Sequence, residues 1–202
     1  MVSFRKYLFL FDIDGTLVDS GLDFQRIRAD MNLSEEAPIL EAIAEMPAEE
    51  AARCRQVLAR HEERGAAQGV PFPGVSEFLA DLQRRGVRMA AVTRNRQELG
   101  QQMLARWETF FDAILGRESG PIKPDPWSIL TICEQWEVAV DRVVFVGDFL
   151  FDMQAGRRAG AHTVLFSGGR PHESLAGRDL ADYVLDSFLD LVPFWQWVEK
   201  SL

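Results

Sequence analysis

The sequence predicts an α/β fold: a Rossmann-like, doubly wound parallel sheet that carries a small all-helical insertion. Two observations support this prediction. Short apolar runs of strand length alternate with segments of helical periodicity, and this alternation is typical of parallel strands joined by right-handed crossovers. One stretch, residues 18–73, breaks the alternation because it contains no convincing strand.

Each predicted strand is an apolar run that ends at a polar residue or at glycine. Continuous apolar runs of this length are typical of strands that are buried on both faces of a parallel sheet. The first run, Tyr7 to Phe11, stops at Asp12. The other predicted strands are 87–92, 143–146 and 163–166, with weaker candidates at 112–115 and 183–185.

Helical periodicity fills the segments between these strands. In residues 75–85, Phe78, Leu79 and Leu82 fall on one face, as expected for a helix packed on a sheet. Further helices are predicted at 97–107, from Pro126 onwards and at 149–159.

An apolar stripe near the end of the chain predicts a final helix packed on the sheet. The residues of this stripe are Phe188, Leu191, Val192, Trp195 and Val198. The alternative is an oligomer surface, because Phe194 and Trp197 lie close to the stripe in sequence.

The segment 18–73 predicts a helical cap domain, and residues 1–17 with 74–202 form the core domain. Its predicted helices are 23–31, 35–45 and 48–67, the last of which is rich in strong helix formers. The turn-rich residues 69–74 follow. Flexible joints at both ends would let such a cap open and close over the strand ends.

Composition limits the partners. The net charge is -9, and an acidic surface repels the nucleic acid backbone, so we expect no nucleic acid partner. No apolar run is long enough to span a bilayer, which predicts no membrane association and a cytoplasmic protein. Cys54 and Cys133 form no CxxC motif, so we expect reduced, packed thiols and no structural zinc. We expect a monomer or a homodimer.

Polar residues end the best predicted strands. In a doubly wound sheet, ligands bind outside the carboxyl ends of the strands, so these residues are the candidates for a site. We expect them to converge on one crevice, together with a lysine in the loop before the third core helix. The candidates are Asp12, Asp14, Thr93, Lys123, Asp148 and Asp152.

These residues carry a resemblance to the haloacid dehalogenase superfamily. Asp12-Ile13-Asp14-Gly15-Thr16-Leu17 resembles its first motif, DxDGT, and Thr93 resembles the second. Lys123 before Pro124 resembles the third, and the segment Gly147 to Asp152 resembles the fourth, GDxxxD. The resemblance, closest to phosphoglycolate-phosphatase-like members, implies a Mg²⁺-dependent phosphatase that acts on a small phosphorylated metabolite.

The carboxylates suit this chemistry. An aspartate can attack phosphorus and form an aspartyl-phosphate, and Asp12 is placed for that role. The resemblance implies that Asp14 acts as general acid and then as base. It also implies Asp12, the backbone carbonyl of Asp14, and Asp148 as magnesium ligands, which are oxygen ligands of the kind that Mg²⁺ prefers. Asp152 is either a ligand or holds a metal-bound water; the alternative is a solvated residue in the first turn of a helix.

Positive charge at the phosphate is expected from Lys123, one of only three lysines in the chain. Thr93 would donate its hydroxyl to a phosphate oxygen, and backbone amides around Arg94 and Asn95 would add donors. Asp125 is predicted to cap the following helix, with Pro126 as its first residue. Phe149 stands where the family usually has a small or polar residue, and we expect it to pack in the core; the alternative is that it shapes the substrate pocket.

Two other functions stay open: a phosphomutase of the β-phosphoglucomutase kind, and a non-catalytic phosphate-binding relative. Asp14 argues against a dehalogenase. The absence of lysine between Gly15 and Pro121 argues against a phosphonatase. Candidates for substrate specificity in the cap are Asp23, Arg26, Arg53, Arg60, His61 and Arg64. Arg170 and His172, in the loop after a predicted strand, could also reach the crevice.

Overall fold

The structure, a computed structural model, describes residues 6–201. The chain divides into two compact units, Met1–Asp19 with Val70–Leu202 and Ser20–Gly69. The strands are β1 (Leu8–Phe11), β2 (Val18–Asp19), β3 (Val70–Pro71), β4 (Arg88–Val92), β5 (Ala113–Leu115), β6 (Val143–Gly147), β7 (His162–Phe166) and β8 (Tyr183–Leu185). The helices are α1 (Phe24–Met31), α2 (Ile39–Glu45), α3 (Ala48–Gln68), α4 (Val75–Arg84), α5 (Gln97–Leu104), α6 (Trp127–Trp136), α7 (Leu150–Ala159) and α8 (Val192–Ser201).

The first unit is built on a six-stranded parallel sheet with the order β5-β4-β1-β6-β7-β8. The chain runs outwards from β1 to β5 on one side and from β6 to β8 on the other. The strand order therefore reverses at β1. This confirms the predicted doubly wound fold, in which the point of reversal is the usual ligand crevice.

Strand β1 is enclosed on both faces, and each of its four residues is 0% exposed. Side chains alternate across a strand, so Leu8 and Leu10 point to one face while Phe9 and Phe11 point to the other. The leucines join an aliphatic cluster with residues of β4, β6 and α6. The ring of Phe78 lies 6.4 Å from Phe9 and 6.1 Å from Phe11. This packing fixes the position of the residue that follows β1.

The final helix packs on the sheet as predicted, but its buried stripe differs from the prediction. Val198 is 0% exposed, whereas Val192, predicted on the buried face, is 65% exposed. Phe194, four residues before Val198, is fully buried instead, and its ring lies 5.6 Å from that of Phe78. Phe194 is therefore a core residue of its own unit and not part of an oligomer surface.

Helices α5 and α6 each differ from the prediction at one boundary. Helix α5 ends at Leu104, and a 3₁₀ segment follows in which Trp107 leaves helical geometry and donates its indole N–H to Ser76 Oγ at 3.1 Å. Helix α6 begins one residue later than predicted, with Pro126 and not Asp125 at the cap position. The Asp125 carboxylate still accepts a hydrogen bond from the Trp127 N–H at 2.9 Å, so it satisfies a free amide of the first turn.

The second unit, Ser20–Gly69, contains α1, α2 and α3 around its own apolar core. Asp23 caps α1 by accepting a hydrogen bond from the Arg26 N–H at 2.9 Å. Helix α2 begins at Ile39, not at residue 35, directly after Pro38 at the cap position. Proline lacks the N–H that a helix interior needs, which explains why the helix starts after it.

The prediction that residues 18–73 contain no strand is wrong at both ends. Val18–Asp19 and Val70–Pro71 pair as a short antiparallel ladder, with Val18 opposite Pro71. Both strands belong to the first unit, so the helical unit is entered and left through adjacent strands. Two-residue strands carry too little apolar pattern to be visible in a sequence.

Within residues 6–201, no helix has the length and apolarity needed to cross a membrane. Cys54 and Cys133 are both free and buried, as expected for packed thiols. Burial raises the pKa of the Cys133 thiol.

Replacement of Phe78 by alanine tests the aromatic half of the core. Phe78 is 0% exposed, so Phe78→Ala should lower the free energy of unfolding by about 3–5 kcal/mol through lost burial and a cavity. Leu189→Ala is the control, because that side chain is 73% exposed and its loss should cost less than about 0.5 kcal/mol. All five tryptophans lie in the first unit, so urea unfolding followed by tryptophan fluorescence reports on this unit. Equal losses for both variants would contradict the packing described.

Candidate active site

Three neighbouring strands each deliver a predicted site residue at the same edge of the sheet. Asp12 follows β1, Thr93 follows β4 and Asp148 follows β6. Backbone hydrogen bonds continue the sheet through the first two: the Asp12 N–H donates to Val146 O at 2.8 Å and the Thr93 N–H donates to Leu115 O at 2.9 Å. The strands therefore bring these residues together, as the sequence predicted.

Three carboxylates meet at this edge. Asp12, Asp148 and Asp152 each offer one oxygen, and these oxygens lie within 4.8 Å of one another. Burial raises the pKa of Asp12 to about 7, with the charges of Asp152 and Asp14 adding to the effect and Lys123 opposing it. The pKa of Asp148 is raised well above its ordinary value by burial and by the Asp12 and Asp152 carboxylates. Such a group of hard oxygen donors is suited to a divalent cation such as Mg²⁺.

Lys123 supplies the positive charge within this group and is only 2% exposed. Its ammonium nitrogen lies 2.5 Å from Asp12 Oδ1, 2.7 Å from Asp152 Oδ1 and 2.9 Å from Val92 O. An ammonium has three hydrogens, so all of its donors are engaged. Burial alone would lower the pKa of Lys123, but the carboxylates of Asp12 and Asp152 outweigh it and the net shift is upward.

Asp152 lies in the first turn of α7 and is 3% exposed, so the alternative of a solvated residue is wrong. Its Oδ2 accepts a hydrogen bond from the Phe149 N–H at 3.1 Å, while its Oδ1 faces Lys123. A Cβ on Gly147 would lie 2.3 Å from the Asp152 Cβ. Glycine at the end of β6 is therefore what lets this carboxylate lie so close to the strand.

Gly15 in the first motif is required for two reasons. Its φ of +85° lies in the left-handed region that side chains other than glycine rarely adopt. A Cβ at this position would also lie 2.6 Å from Asp148 Oδ2. The turn after β1 can therefore approach the Asp148 carboxylate only because residue 15 lacks a side chain.

Asp14 is half-buried and forms an isolated bridge with Val18. Its charge contributes to the raised pKa of both Asp12 and Asp148, which places it within electrostatic reach of the three carboxylates. Next to it, the Thr16 hydroxyl lies 3.4 Å from Asp12 Oδ2.

The three residues after β4 have different contacts. Thr93 is buried, and its Oγ1 accepts a hydrogen bond from the Asn95 N–H at 3.0 Å, which leaves the hydroxyl proton of Thr93 for another acceptor. Asn95 Oδ1 accepts from the Arg96 N–H at 2.7 Å. The Arg94 guanidinium donates to the backbone carbonyl of Lys123 and lies 4.4 Å from the centre of the Phe151 ring. Arg94 and Asn95 thus support the loops around the site, and their role in phosphate binding stays a prediction.

Arg170 contacts the site, although the sequence indicated this only weakly. Its terminal nitrogen lies 3.3 Å from Asp148 Oδ2, 3.1 Å from Asp148 O and 3.0 Å from Phe166 O. The only sequence signal was its place after β7, the strand beside β6. His172, the other candidate in this loop, instead pairs with Asp186 at 2.7 Å.

The family model described as haloacid dehalogenase-like hydrolase matches residues 21–166, more than half of the chain. The chain belongs to the haloacid dehalogenase-like hydrolase family. The matched span contains Thr93, Lys123, Asp148 and Asp152 and begins after Asp12.

Relatives of the haloacid dehalogenase-like chain include two named phosphatases. A phosphoglycolate phosphatase of Pseudomonas savastanoi is 31% identical over 214 residues, covering 92% of this chain and 78% of the relative. An N-acetylmuramic acid 6-phosphate phosphatase of Pseudomonas aeruginosa is 28% identical over 217 residues, covering 95% and 96%. A crystal structure of a predicted phosphoglycolate phosphatase from Haemophilus somnus has a TM-score of 0.74 at 24% identity, covering 97% of this chain and 100% of that chain. This last likeness concerns the fold.

The expectation that Phe149 packs in the core is wrong, because its side chain is 45% exposed. It is the cap residue of α7 with an extended backbone, φ −134° and ψ 164°. Its ring packs against the ring of Phe151 at 5.3 Å, and the same Phe151 ring contacts Arg94. The residue after Asp148 therefore contributes its backbone amide to Asp152 and leaves its side chain at the surface.

The raised pKa of Asp12 predicts a pH effect on stability. Between its ordinary pKa of 3.8 and about 7, the folded metal-free chain holds a proton that the unfolded chain releases. The contribution of Asp12 to stability is therefore lost as the pH rises through this window. Asp12→Asn removes this titration, so its stability relative to wild type should increase by up to about 1.4 kcal/mol per pH unit and level off above the window.

Urea unfolding in EDTA, at a series of pH values across the window, measures this difference. Asp190→Asn is the control, because it removes an exposed carboxylate and should give a nearly constant difference. A pH-independent difference for Asp12→Asn would show that Asp12 does not titrate abnormally.

Proposed function

We propose that the chain is a Mg²⁺-dependent phosphatase that hydrolyses a small phosphate monoester through an aspartyl-phosphate on Asp12. The observation that carries the proposal is the meeting of the Asp12, Asp148 and Asp152 carboxylates within 4.8 Å around buried Lys123. Family membership supports a hydrolase, and the two named phosphatases among the relatives support a phosphate ester as substrate.

The nucleophile is the Asp12 carboxylate in this proposal. Its Oδ1 lies 2.5 Å from the Lys123 ammonium, whereas within residues 6–201 the sole side-chain contact of Oδ2 is a long one of 3.4 Å with the Thr16 hydroxyl. Oδ2 is therefore the oxygen that is freer to attack. As it bonds to phosphorus, the bond from phosphorus to the ester oxygen breaks, and the ester leaves as an alcohol with a proton from Asp14. Asp14 then takes a proton from water, which attacks phosphorus and releases phosphate and the Asp12 carboxylate.

Asp12 must be ionised to attack, so its surroundings have to stabilise the charged carboxylate. Burial favours the protonated form, while the Lys123 charge favours the carboxylate. A magnesium ion held by Asp12, Asp148, Asp152 and the backbone carbonyl of Asp14 would neutralise the clustered carboxylates and draw charge from the phosphoryl oxygens. Thr93 has a hydroxyl proton to donate to a phosphate oxygen, and Lys123 would exchange one of its present contacts to do the same.

In the same proposal, the helical unit acts as a cap that excludes water during the reaction. The supporting observation is the path of the chain. The strand Val18–Asp19, which pairs with Val70–Pro71, begins only four residues after Asp14. The proposed enzyme is cytoplasmic, where the free Cys54 and Cys133 would stay reduced.

Turnover of phosphate esters tests the proposed reaction. Wild type should hydrolyse p-nitrophenyl phosphate with Mg²⁺ and lose this activity in EDTA. Asp12→Asn removes the nucleophile and should lower kcat by more than about 10³-fold, and Asp14→Asn should lower it by about 10²–10⁴-fold through loss of the proton donor. Asp190→Asn, an exposed control, should stay within about twofold of wild type.

The substrate panel separates the proposal from its alternatives. It should include phosphoglycolate, N-acetylmuramic acid 6-phosphate and sugar phosphates. Release of inorganic phosphate supports hydrolysis, whereas conversion of sugar phosphate isomers without net release would indicate a phosphomutase. An Asp12→Asn variant as active as wild type, or no metal-dependent turnover of any ester, would overturn the proposed function and favour a phosphate-binding protein.

The proposed metal site gives a separate prediction at Gly15. Alanine there would place a Cβ 2.6 Å from Asp148 Oδ2 and displace that carboxylate, so Gly15→Ala should weaken Mn²⁺ binding, used as a probe for Mg²⁺, at least tenfold. Gly21→Ala is a matched control, because Gly21 also has a positive φ, +64°, but its Cβ would meet nothing within 4 Å. Calorimetric titration measures both variants. Unchanged binding in Gly15→Ala would place the metal away from Asp148.

A further inference from the structure

The helical unit contains a cavity of about 650 Å³ within its own residues, a size typical of ligand pockets. Its lining is dominated by positively charged side chains. The lining residues are Arg26, Asp30, Arg53, Val57, Arg60, His61 and Arg64.

Most of this lining comes from one face of helix α3. Arg53, Val57, Arg60 and Arg64 follow one another at intervals of four, three and four residues, the spacing that places side chains on a common helical face. The arginines of this face are exposed, and Val57 forms the buried part of the cavity. The guanidinium groups are therefore presented together and not spread around the helix.

The carboxylate of the lining is already neutralised. Asp30 Oδ1 lies 3.0 Å from Arg26 Nε, and Asp30 Oδ2 lies 2.9 Å from His61 Nε2. The hydrogen bond from His61, supported by the Arg26 charge, holds the pKa of Asp30 below its ordinary value. Asp30 thus orients Arg26 and His61 and leaves the charges of the α3 arginines uncompensated.

The α3 arginines have few partners of their own. Arg53 makes a long contact of 3.4 Å with Met31 O. Within the described range 6–201, the guanidinium groups of Arg60 and Arg64 form no hydrogen bond or ion pair. These two lie four residues apart on a helix, where like charges repel each other and destabilise the helix. A bound anion would remove this cost.

We propose that this cavity binds a small anion with at least two phosphate or carboxylate groups. Guanidinium groups bind both kinds of anion through paired hydrogen bonds, and several of them on one face favour a ligand of more than one charge. In a chain with a net charge of -9, a pocket with four arginines and one carboxylate is a local reversal of sign. The binding proposal does not depend on the proposed phosphatase reaction.

Calorimetric titration of the full chain with inorganic pyrophosphate tests the proposal. The protein and buffer are freed of metal with a chelating resin, because without a metal the carboxylates around Asp12 repel anions, and NaCl keeps the ionic strength constant. Dissolved EDTA is left out because it is itself an anion with several carboxylate groups. The double variant Arg60→Gln/Arg64→Gln should bind pyrophosphate at least tenfold more weakly than wild type. The matched control is Arg55→Gln, on the same helix and exposed but outside the cavity, which should bind as wild type does.

Circular dichroism and thermal unfolding verify that the variants are folded; the single variants Arg60→Gln and Arg64→Gln replace the double variant if it is not. Arg60→Lys/Arg64→Lys, which keeps the charge but not the paired hydrogen bonds, should lose less affinity than the glutamine variant. Absence of pyrophosphate binding in wild type, or an equal loss in Arg55→Gln, would overturn the proposal.

Kinetics with Mg²⁺ identify the source of the anion, and this part rests on the proposed function. If the cavity holds a second acidic group of the substrate, the glutamine variant should raise KM for phosphoglycolate and leave KM for p-nitrophenyl phosphate unchanged. If it holds a separate ligand, both KM values stay unchanged while pyrophosphate binding is lost. Absence of turnover in wild type would count against the phosphatase alone, since calorimetry decides the cavity independently.

Discussion

The site depends on one electrostatic constraint: clustered, buried carboxylates need a positive charge among them. Lys123 meets this need inside the protein, 2.5 Å from Asp12 and 2.7 Å from Asp152. Its third hydrogen bond, to Val92 O, ties the same ammonium to the end of β4. One side chain therefore links the strand ends to the first turn of α7. Asp148, whose carboxylate belongs to the same cluster, pairs with a separate positive charge from Arg170.

This arrangement requires rigid strand ends, which the core provides. Strand β1 is buried on both faces, by aliphatic side chains on one and by phenylalanine rings on the other. The close approach of the carboxylates then depends on two glycines. At Gly15 and at Gly147, a Cβ would collide with Asp148 and Asp152 respectively. A side chain at either glycine would thus collide with an acidic residue of the cluster whose oxygens lie within 4.8 Å of one another.

Much of the fold and of the acidic site was predictable from the sequence. The strands are buried apolar runs that end at the polar residues of the site, and topology alone brings those ends together. Other features depend on tertiary contacts that leave no periodic trace. The exposure of Phe149 follows from its cap position, and the burial of Phe194 follows from the helical register set by the core. The contact of Arg170 with Asp148 needed the loop after β7 to be in place.

The two units each contain a cluster of like charges, and the two clusters have opposite signs. In the unit that contains the sheet, acidic groups outnumber the buried lysine, and we propose that a divalent cation neutralises the excess negative charge. In the helical unit, arginines on one face of α3 outnumber the neutralised Asp30, and the excess positive charge creates affinity for an anion. Internal pairs offset part of each cluster, Lys123 with two aspartates and Asp30 with Arg26 and His61. What these pairs leave uncompensated is the charge that a ligand can neutralise, so each cluster specifies the sign of its own ligand.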